Sequence, residues 1–258
     1  MIRYSEFKQL NENLEIKRNY NDILKKMGVM NQFGRVDLVN MTKKINDFLS
    51  TDDNKDKFLK DVDNQDIKGE KIKISVKDLK PGQSTVYLDQ MIEKLLDDSE
   101  FTKNAIDGKI KDRDILISSD NYIIDGHHRC CSAFSMNPEC VIKCTKINIP
   151  IEKAIPILNS ILKATESDSK PESGDEKSNV YDLMKKDDFS HNVFEMIHDI
   201  AKEKWKRKKR NKKLYKFFDK ILPEKLADNI KKLPIPDDNL VDRSNMPQLK
   251  DKVDDVLD

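Results

Sequence analysis

Glycine and proline are scarce: 7 Gly and 9 Pro in 258 residues exclude collagen-like and Gly/Pro low-complexity chains. Aromatic residues make up only 7%, with a single Trp. Four Cys in a chain of this length do not make a disulfide scaffold and read as reduced, intracellular thiols. No apolar run approaches the roughly 20 residues that a membrane-spanning helix needs, and Met1 to Val29 contains no apolar stretch of the kind a secretory signal carries. Net charge is also nearly absent, 48 basic residues against 47 acidic giving +1. What the chain has in quantity is charge itself: 37% charged residues equal the 37% hydrophobic ones, and the mean hydropathy is −0.74. The length allows one to three domains and a real core. Of the basic residues 40 are Lys and 8 are Arg. Lys, Asn, Ile and Asp recur as they do in AT-rich coding sequence, so one lysine says little about binding.

Residues 1–67 read as a helical N-terminal region. Tyr4, Phe7, Leu10 and Leu14 fall at helical spacing, and Ile23, Leu24 and Met27 continue the stripe to Gly28. A second helix spans Val39 to Leu49, and Ser50 to Asn54 reads as a loop. The apolar pattern here is too thin for an independent domain. Residues 68–165 change character. Ile72, Ile74 and Val76 alternate as in a half-buried strand. Pro81-Gly82 marks a turn, Val86 to Leu96 a helix, and Asp114 to Ser118 and Tyr122 to Ile124 two strands. A short helix runs through Phe134, followed by a strand over Val141 to Ile149 and a helix over Ile151 to Ala164 that Pro156 should kink or offset. Residues 166–180 have linker composition, 181–235 form a basic helical region, and 236–258 read as an acidic, disordered tail. The fold class is α+β: a small mixed-sheet domain flanked by helical regions.

The informative segment is Asp125-Gly126-His127-His128-Arg129. A strand ends and a helix starts at once. Glycine lets the backbone turn sharply against a ligand, and the first amides of a helix favour anions. Arg129 supplies a planar fork for phosphate. Asp125 is the candidate for holding a divalent metal or accepting a proton, with His127 and His128 as acid–base candidates. Adjacent histidines and an Asp-Gly turn are ordinary surface features on their own; the strand–turn–helix context and the adjoining Arg make them a phosphate pocket.

These residues, after a strand hairpin, resemble the signature of the ParB/sulfiredoxin superfamily. The upstream Ile74-Ser-Val-Lys-Asp-Leu79-Lys-Pro81-Gly-Gln83 resembles its opening strand and Pro-x-Gln turn. The resemblance spans about residues 68–165 and implies a nucleotide phosphate (ATP, ADP or CTP) with Mg²⁺ at the turn, lined by Gln83, Ser84, Gly126, His128 and Arg129. The sulfiredoxin motif Gly-Cys-His-Arg is matched at Gly126, His128 and Arg129, but His127 occupies the cysteine position, which argues against sulfinic-acid repair. The partition-protein motif Gly-Glu-Arg-Arg is matched only at Gly126 and Arg129, and no helix-turn-helix pattern follows before the linker. The kinase-like and nuclease-like branches remain, implying phosphoryl transfer or phosphodiester hydrolysis.

Three further signals stand apart. Cys130, Cys131, Cys140 and Cys144 lie near the histidines, but residues four apart on a strand are roughly 13 Å apart, so buried thiols are a better reading than zinc. Lys202 to Lys213 holds nine basic residues and one acid around Trp205, a nucleic-acid or other polyanion contact through Lys204, Trp205, Lys206, Arg207, Lys208, Lys209 and Arg210. Met1 to Glu12 resembles the capsid-targeting leaders of internal head proteins in large tailed bacteriophages, with Leu10-Asn11-Glu12 matching the prohead-protease site. That resemblance implies phage head components as partners, and a location in the host cytoplasm and the virion. Three functions stay open: a phosphoryl-transfer enzyme or nuclease, a non-catalytic DNA-binding protein, and a virion protein that uses the fold structurally.

Overall fold

Successive side chains of a strand face opposite ways, and in this protein each side of the sheet carries its own set of helices. The computed structural model describes residues 20–63, 67–165, 178–208, 222–237 and 240–247. The strands are β1 (Gly69–Ser75), β2 (Lys109–Ile117), β3 (Ile123–Asp125) and β4 (Val141–Ile147), in spatial order β1-β4-β2-β3. β4 runs antiparallel to β1 and parallel to β2, while β3 runs antiparallel to β2. A parallel pair needs a crossover, and β3 with its following helix provides it between β2 and β4.

The helices are α1 (20–26), α2 (Met41–Phe48), α3 (Asp52–Asp63), α4 (Leu88–Asp97), α5 (Ser99–Ile106), α6 (His127–Met136), α7 (Ile151–Ala164), α8 (Val180–Leu183), α9 (Phe189–Lys208) and α10 (Leu222–Ile230). Ile115, Ile117, Ile123, Ile142 and Cys144 project to one side and pack with α4, α5, α6, α8, α9 and α10. Leu116, Ile124 and Ile147 project to the other and pack with α1, α2, α3 and α7. Each of the Ile and Leu side chains among them contributes roughly 1.5–3 kcal/mol by leaving water. The protein is the α+β arrangement that the strand and helix periodicities imply. As the thin apolar pattern of the N-terminal region requires, α1–α3 complete a core with α7 rather than forming one of their own. Among the described residues no helix is long and apolar enough to cross a membrane.

Four expectations are corrected. The segment 50–54 is a helix start: α3 begins at Asp52, with Asp52 and Asp53 in its first turn, where carboxylates suit the positive end of the helix dipole. Strand β2 begins earlier, at Lys109, and the unforeseen helix α5 precedes it, capped by Asp98 accepting from the Phe101 N–H at 2.9 Å. Of the linker, 166–177 lie outside the described residues, but Ser178 and Asn179 are buried. Asn179 accepts from the Val86 N–H at 3.2 Å and Ser178 donates to Asp89 at 2.8 Å. The described part of the tail is folded too. Val241 and Met246 are buried in the α7-side core, and Asn245 joins α2 and α7 by accepting from Thr42 Oγ1 at 2.7 Å and from Asn159 Nδ2 at 2.8 Å. Helix α7 runs from Ile151 to Ala164 as the sequence implies, continuous through Pro156.

Candidate functional site

The chain turns at Gly126, which sits at φ +95° between β3 and α6, a left-handed conformation that costs an L side chain roughly 1–2 kcal/mol. A Cβ there would also approach Ile115 at 3.1 Å. The turn aims the first residues of α6 at a chamber of about 120 Å³, lined by Gln83, Lys94, Ile124, Asp125, Gly126, His127, His128, Arg129 and Arg243. The same Lys94, His128, Arg129 and Arg243 also line a larger chamber of about 420 Å³, completed by Gln90, Glu93, Asp97, Asp98 and Phe101. The cations come from separate elements: Lys94 from the end of α4, Arg129 from the first turn of α6, and Arg243 from a 3₁₀ turn at Arg243–Asn245. Two of only eight arginines in the sequence therefore line both chambers.

The histidines hold the fold together here. Both are buried, His127 4% and His128 6% exposed. His127 Nε2 accepts the Gly82 N–H at 3.0 Å, and the ring also bonds to the Ile123 backbone. His128 Nε2 accepts the Tyr87 N–H at 3.0 Å and its ring stacks on Tyr87, centroids 6.0 Å apart. An Nε2 that accepts an amide proton carries none, so both imidazoles are neutral and protonated on Nδ1. Burial first, and then the positive charge of Arg243, holds His127 down to about 3 and His128 well below its ordinary value. The acid–base role expected of His127 and His128 is thereby corrected. Neither ring has a proton at Nε2 to give, and together they tie the 81–87 segment to the turn.

The remaining expected residues divide. Gln83, Gly126 and Arg129 line the small chamber as expected, and Gln83 Nε2 is oriented by the Thr85 carbonyl. Ser84 does not line either chamber: its N–H donates to the Val241 carbonyl at 3.0 Å, so it fastens the C-terminal segment. Among the described residues Asp125 is the one carboxylate lining the small chamber, and its Oδ1 accepts the Gly126 N–H at 2.8 Å. Among the described residues no three His, Cys, Asp or Glu side chains gather as a metal-holding group. A lone carboxylate suits a Mg²⁺ that arrives with a ligand's phosphate better than one caged by protein. All four cysteines are buried thiols outside any disulfide, and burial pushes Cys140 up to about 11 and Cys131 to about 12. Lys204, Trp205, Lys206, Arg207 and Lys208 fall on α9, while Lys209, Arg210 and the leader 1–12 lie outside the described residues.

Sequence reading missed Lys94, Arg243 and the carboxylates of the large chamber. Lys94 is one lysine among many, and Arg243 sits over a hundred positions from the motif in a segment of disordered composition. Its type was the available signal, arginine being rare in this chain. Arg243 is well braced: its backbone N–H donates to Thr85 Oγ1 at 3.2 Å, Nη1 to Gln90 at 2.5 Å, and its guanidinium lies 5.7 Å from the Tyr87 ring centroid. Comparisons with family models, with curated proteins and with solved structures find no match to this chain.

Proposed function

We propose that the protein binds a nucleotide or nucleic-acid phosphate at the turn between β3 and α6, in a domain of the ParB/sulfiredoxin type. The observation that carries this is the convergence of Lys94, Arg129 and Arg243 on one chamber beside the opening amides of a ten-residue helix. Amides and guanidinium groups give charge-assisted bonds to phosphate oxygens. The adjoining chamber of about 420 Å³ falls in the range that holds a small organic ligand.

For phosphoryl transfer or phosphodiester hydrolysis, the roles narrow to two sets. Lys94, Arg129 and Arg243 offset the charge on the phosphoryl oxygens, and Asp125, the carboxylate nearest the turn, accepts the proton of the attacking hydroxyl or water. The two neutral histidines keep the 81–87 segment and the helix start in register. The deciding experiment is a calorimetric nucleotide screen of the wild-type protein against Arg129→Ala, followed by turnover assays of Asp125→Asn with Mg²⁺. Binding lost in Arg129→Ala supports the site; binding undiminished in that variant removes it. Turnover surviving in Asp125→Asn removes the proposed base.

A second reading rests on the nine basic residues at 202–213. There the segment contacts DNA without catalysis, inside a phage virion or the host cytoplasm. A steep fall of DNA affinity with salt supports it. A mature virion chain beginning at Asn13 supports the head-protein reading.

A further inference from the structure

The sheet face that carries Leu116 and Ile147 is covered by helices only in part. Leu116 and Ile147 are buried against α1–α3 and α7, but Lys71 and Lys73 of β1, Lys143 of β4 and Lys109 of β2 are all exposed. The register puts the four lysines on that same face. Lys71 lies opposite Thr145, Lys73 opposite Lys143 and Lys109 opposite Val141. Positions 141, 143, 145 and 147 alternate with Ile142 and Cys144, which pack on the other side. With neighbouring strands about 4.8 Å apart and a rise of about 3.3 Å per residue, the four Cα atoms lie within roughly 16 Å.

This arrangement costs stability. Like charges directly opposite each other weaken a sheet, and Lys73 and Lys143 are such a pair. β1 and β4 place no carboxylate on this face to offset them, because Glu70 pairs with Lys146 on the other. Among the described residues no ion pair joins Lys73, Lys109 or Lys143 to a carboxylate. Lysines on an edge strand guard against pairing with another chain, which accounts for Lys71 and Lys73. It does not account for Lys143 and Lys109, since β4 and β2 are interior strands in the order β1-β4-β2-β3. A sheet face open to water needs polar side chains, but not side chains of one sign in a chain with 48 basic and 47 acidic residues.

We infer that this open face is a contact surface for the phosphate backbone of duplex DNA, held without regard to base sequence. A duplex carries one charge per roughly 1.7 Å of its axis, so a patch of this width meets several phosphates at once. β1 and β4 carry no aromatic side chain, so the face lacks the stacking platform on which single strands are held. None of the four lysines lines either chamber or belongs to 202–213. The surface is therefore separate from the phosphate site and from that basic segment.

Fluorescence anisotropy with a labelled duplex, over a series of salt concentrations, tests it on the full chain. The variants are Lys143→Gln, the triple Lys73→Gln/Lys109→Gln/Lys143→Gln, and Lys185→Gln, which changes an exposed lysine paired with Asp182 beside α8, on the other side of the sheet. Lys143→Gln should lower the slope of log affinity against log salt by about 1, and the triple variant by about 3. Lys185→Gln should leave it unchanged. Unfolding midpoints of Lys143→Gln and the triple variant should hold or rise, because a like-charge pair is relieved. Failure of the wild-type protein to bind the duplex overturns the inference, as does a triple variant that keeps the wild-type slope, which would leave 202–213 as the contact. A single strand of equal length that binds more tightly than the duplex overturns the duplex assignment, and polyglutamate that displaces the duplex at equal charge reassigns the face to an acidic protein. A midpoint that falls marks the lysines as serving the fold and overturns it equally.

Discussion

Gly82 gives its N–H to Nε2 of His127 at 3.0 Å, and a Cβ on Gly82 would stand 1.9 Å from the carbonyl oxygen of Ile123. The 81–87 segment thus lies against β3 with no room for a methyl group, and the obstacle is backbone rather than a side chain that can swing away. Gly82→Ala should cost about 3 kcal/mol and weaken ligand binding by displacing Gln83. Gly34→Ala is the control: φ is +78° but nothing lies within 4 Å, so backbone strain alone should cost about 1 kcal/mol. Denaturant unfolding of both variants checks this; equal losses would show that the close approach to Ile123 carries no weight.

The buried histidines set an acid limit on stability. His127 is held down to about 3 by burial and by Arg243, whereas in the unfolded chain it titrates near ~6.5. Between those values the unfolded chain binds a proton that the native protein refuses, so stability falls as pH drops from about 6.5 toward 3. The loss is on the order of 4 kcal/mol for His127 across that window. His128, also depressed by burial, Arg243, His127 and Lys94, acts in the same direction. His127→Gln keeps an acceptor for the Gly82 amide without a titrating group. Its unfolding free energy should therefore fall less steeply below pH 6.5 than that of the wild type. An unchanged slope would mean that His127 is protonated in the native protein.

The motif and its neighbours explain what could be read in advance. Residues 125–129 are local: a strand, a left-handed glycine and a helix start are contiguous, so Gly126 and Arg129 could be placed at a turn from spacing alone. Gln83 was reachable only through the resemblance of Pro81-Gly82-Gln83 to the Pro-x-Gln turn of the ParB/sulfiredoxin superfamily. The roles of His127 and His128 were not legible, because a histidine's chemistry depends on which group meets Nε2, and the amides of Gly82 and Tyr87 arrive from some 40 positions away. Arg243 and Lys94 meet the motif only through tertiary packing. The acidic, proline-containing tail composition hid Val241 and Met246, two apolar residues that find their partners on α7 and the N-terminal helices. The segment Asp114 to Ser118 was legible as a strand, but not the helices that Ile115 and Ile117 on one face and Leu116 on the other pack against.

Arg129 and Arg243 reach both chambers from positions over a hundred residues apart in the sequence. Removing either should weaken a phosphorylated ligand about 10–100-fold, as hydrogen bonds to charged groups are worth about 1.5–3 kcal/mol. The double alanine variant should lose less than the sum, because both arginines meet one phosphate. Strict additivity in calorimetric titrations would place them on separate ligands. Arg243→Ala should also let both histidines titrate closer to their ordinary value, since its charge depresses them, an effect that NMR titration of the imidazole signals reads independently of ligand.

A chain ending at Asp237 tests the folded C-terminal segment. Truncation removes buried Val241 and Met246, each worth roughly 1.5–3 kcal/mol. It also removes the Val241 carbonyl that accepts the Ser84 N–H, the Asn245 groups bonded to Thr42 and Asn159, and Arg243 with its bond to Gln90. Asp237 stays, and with it the hydrogen bond from the Tyr122 hydroxyl. Stability should drop by several kcal/mol. Ligand affinity should fall further than in Arg243→Ala, because the 81–87 segment loses its anchor as well as the guanidinium. A truncated protein with an unchanged unfolding midpoint and undiminished affinity would show the segment to be the dispensable tail its composition suggests.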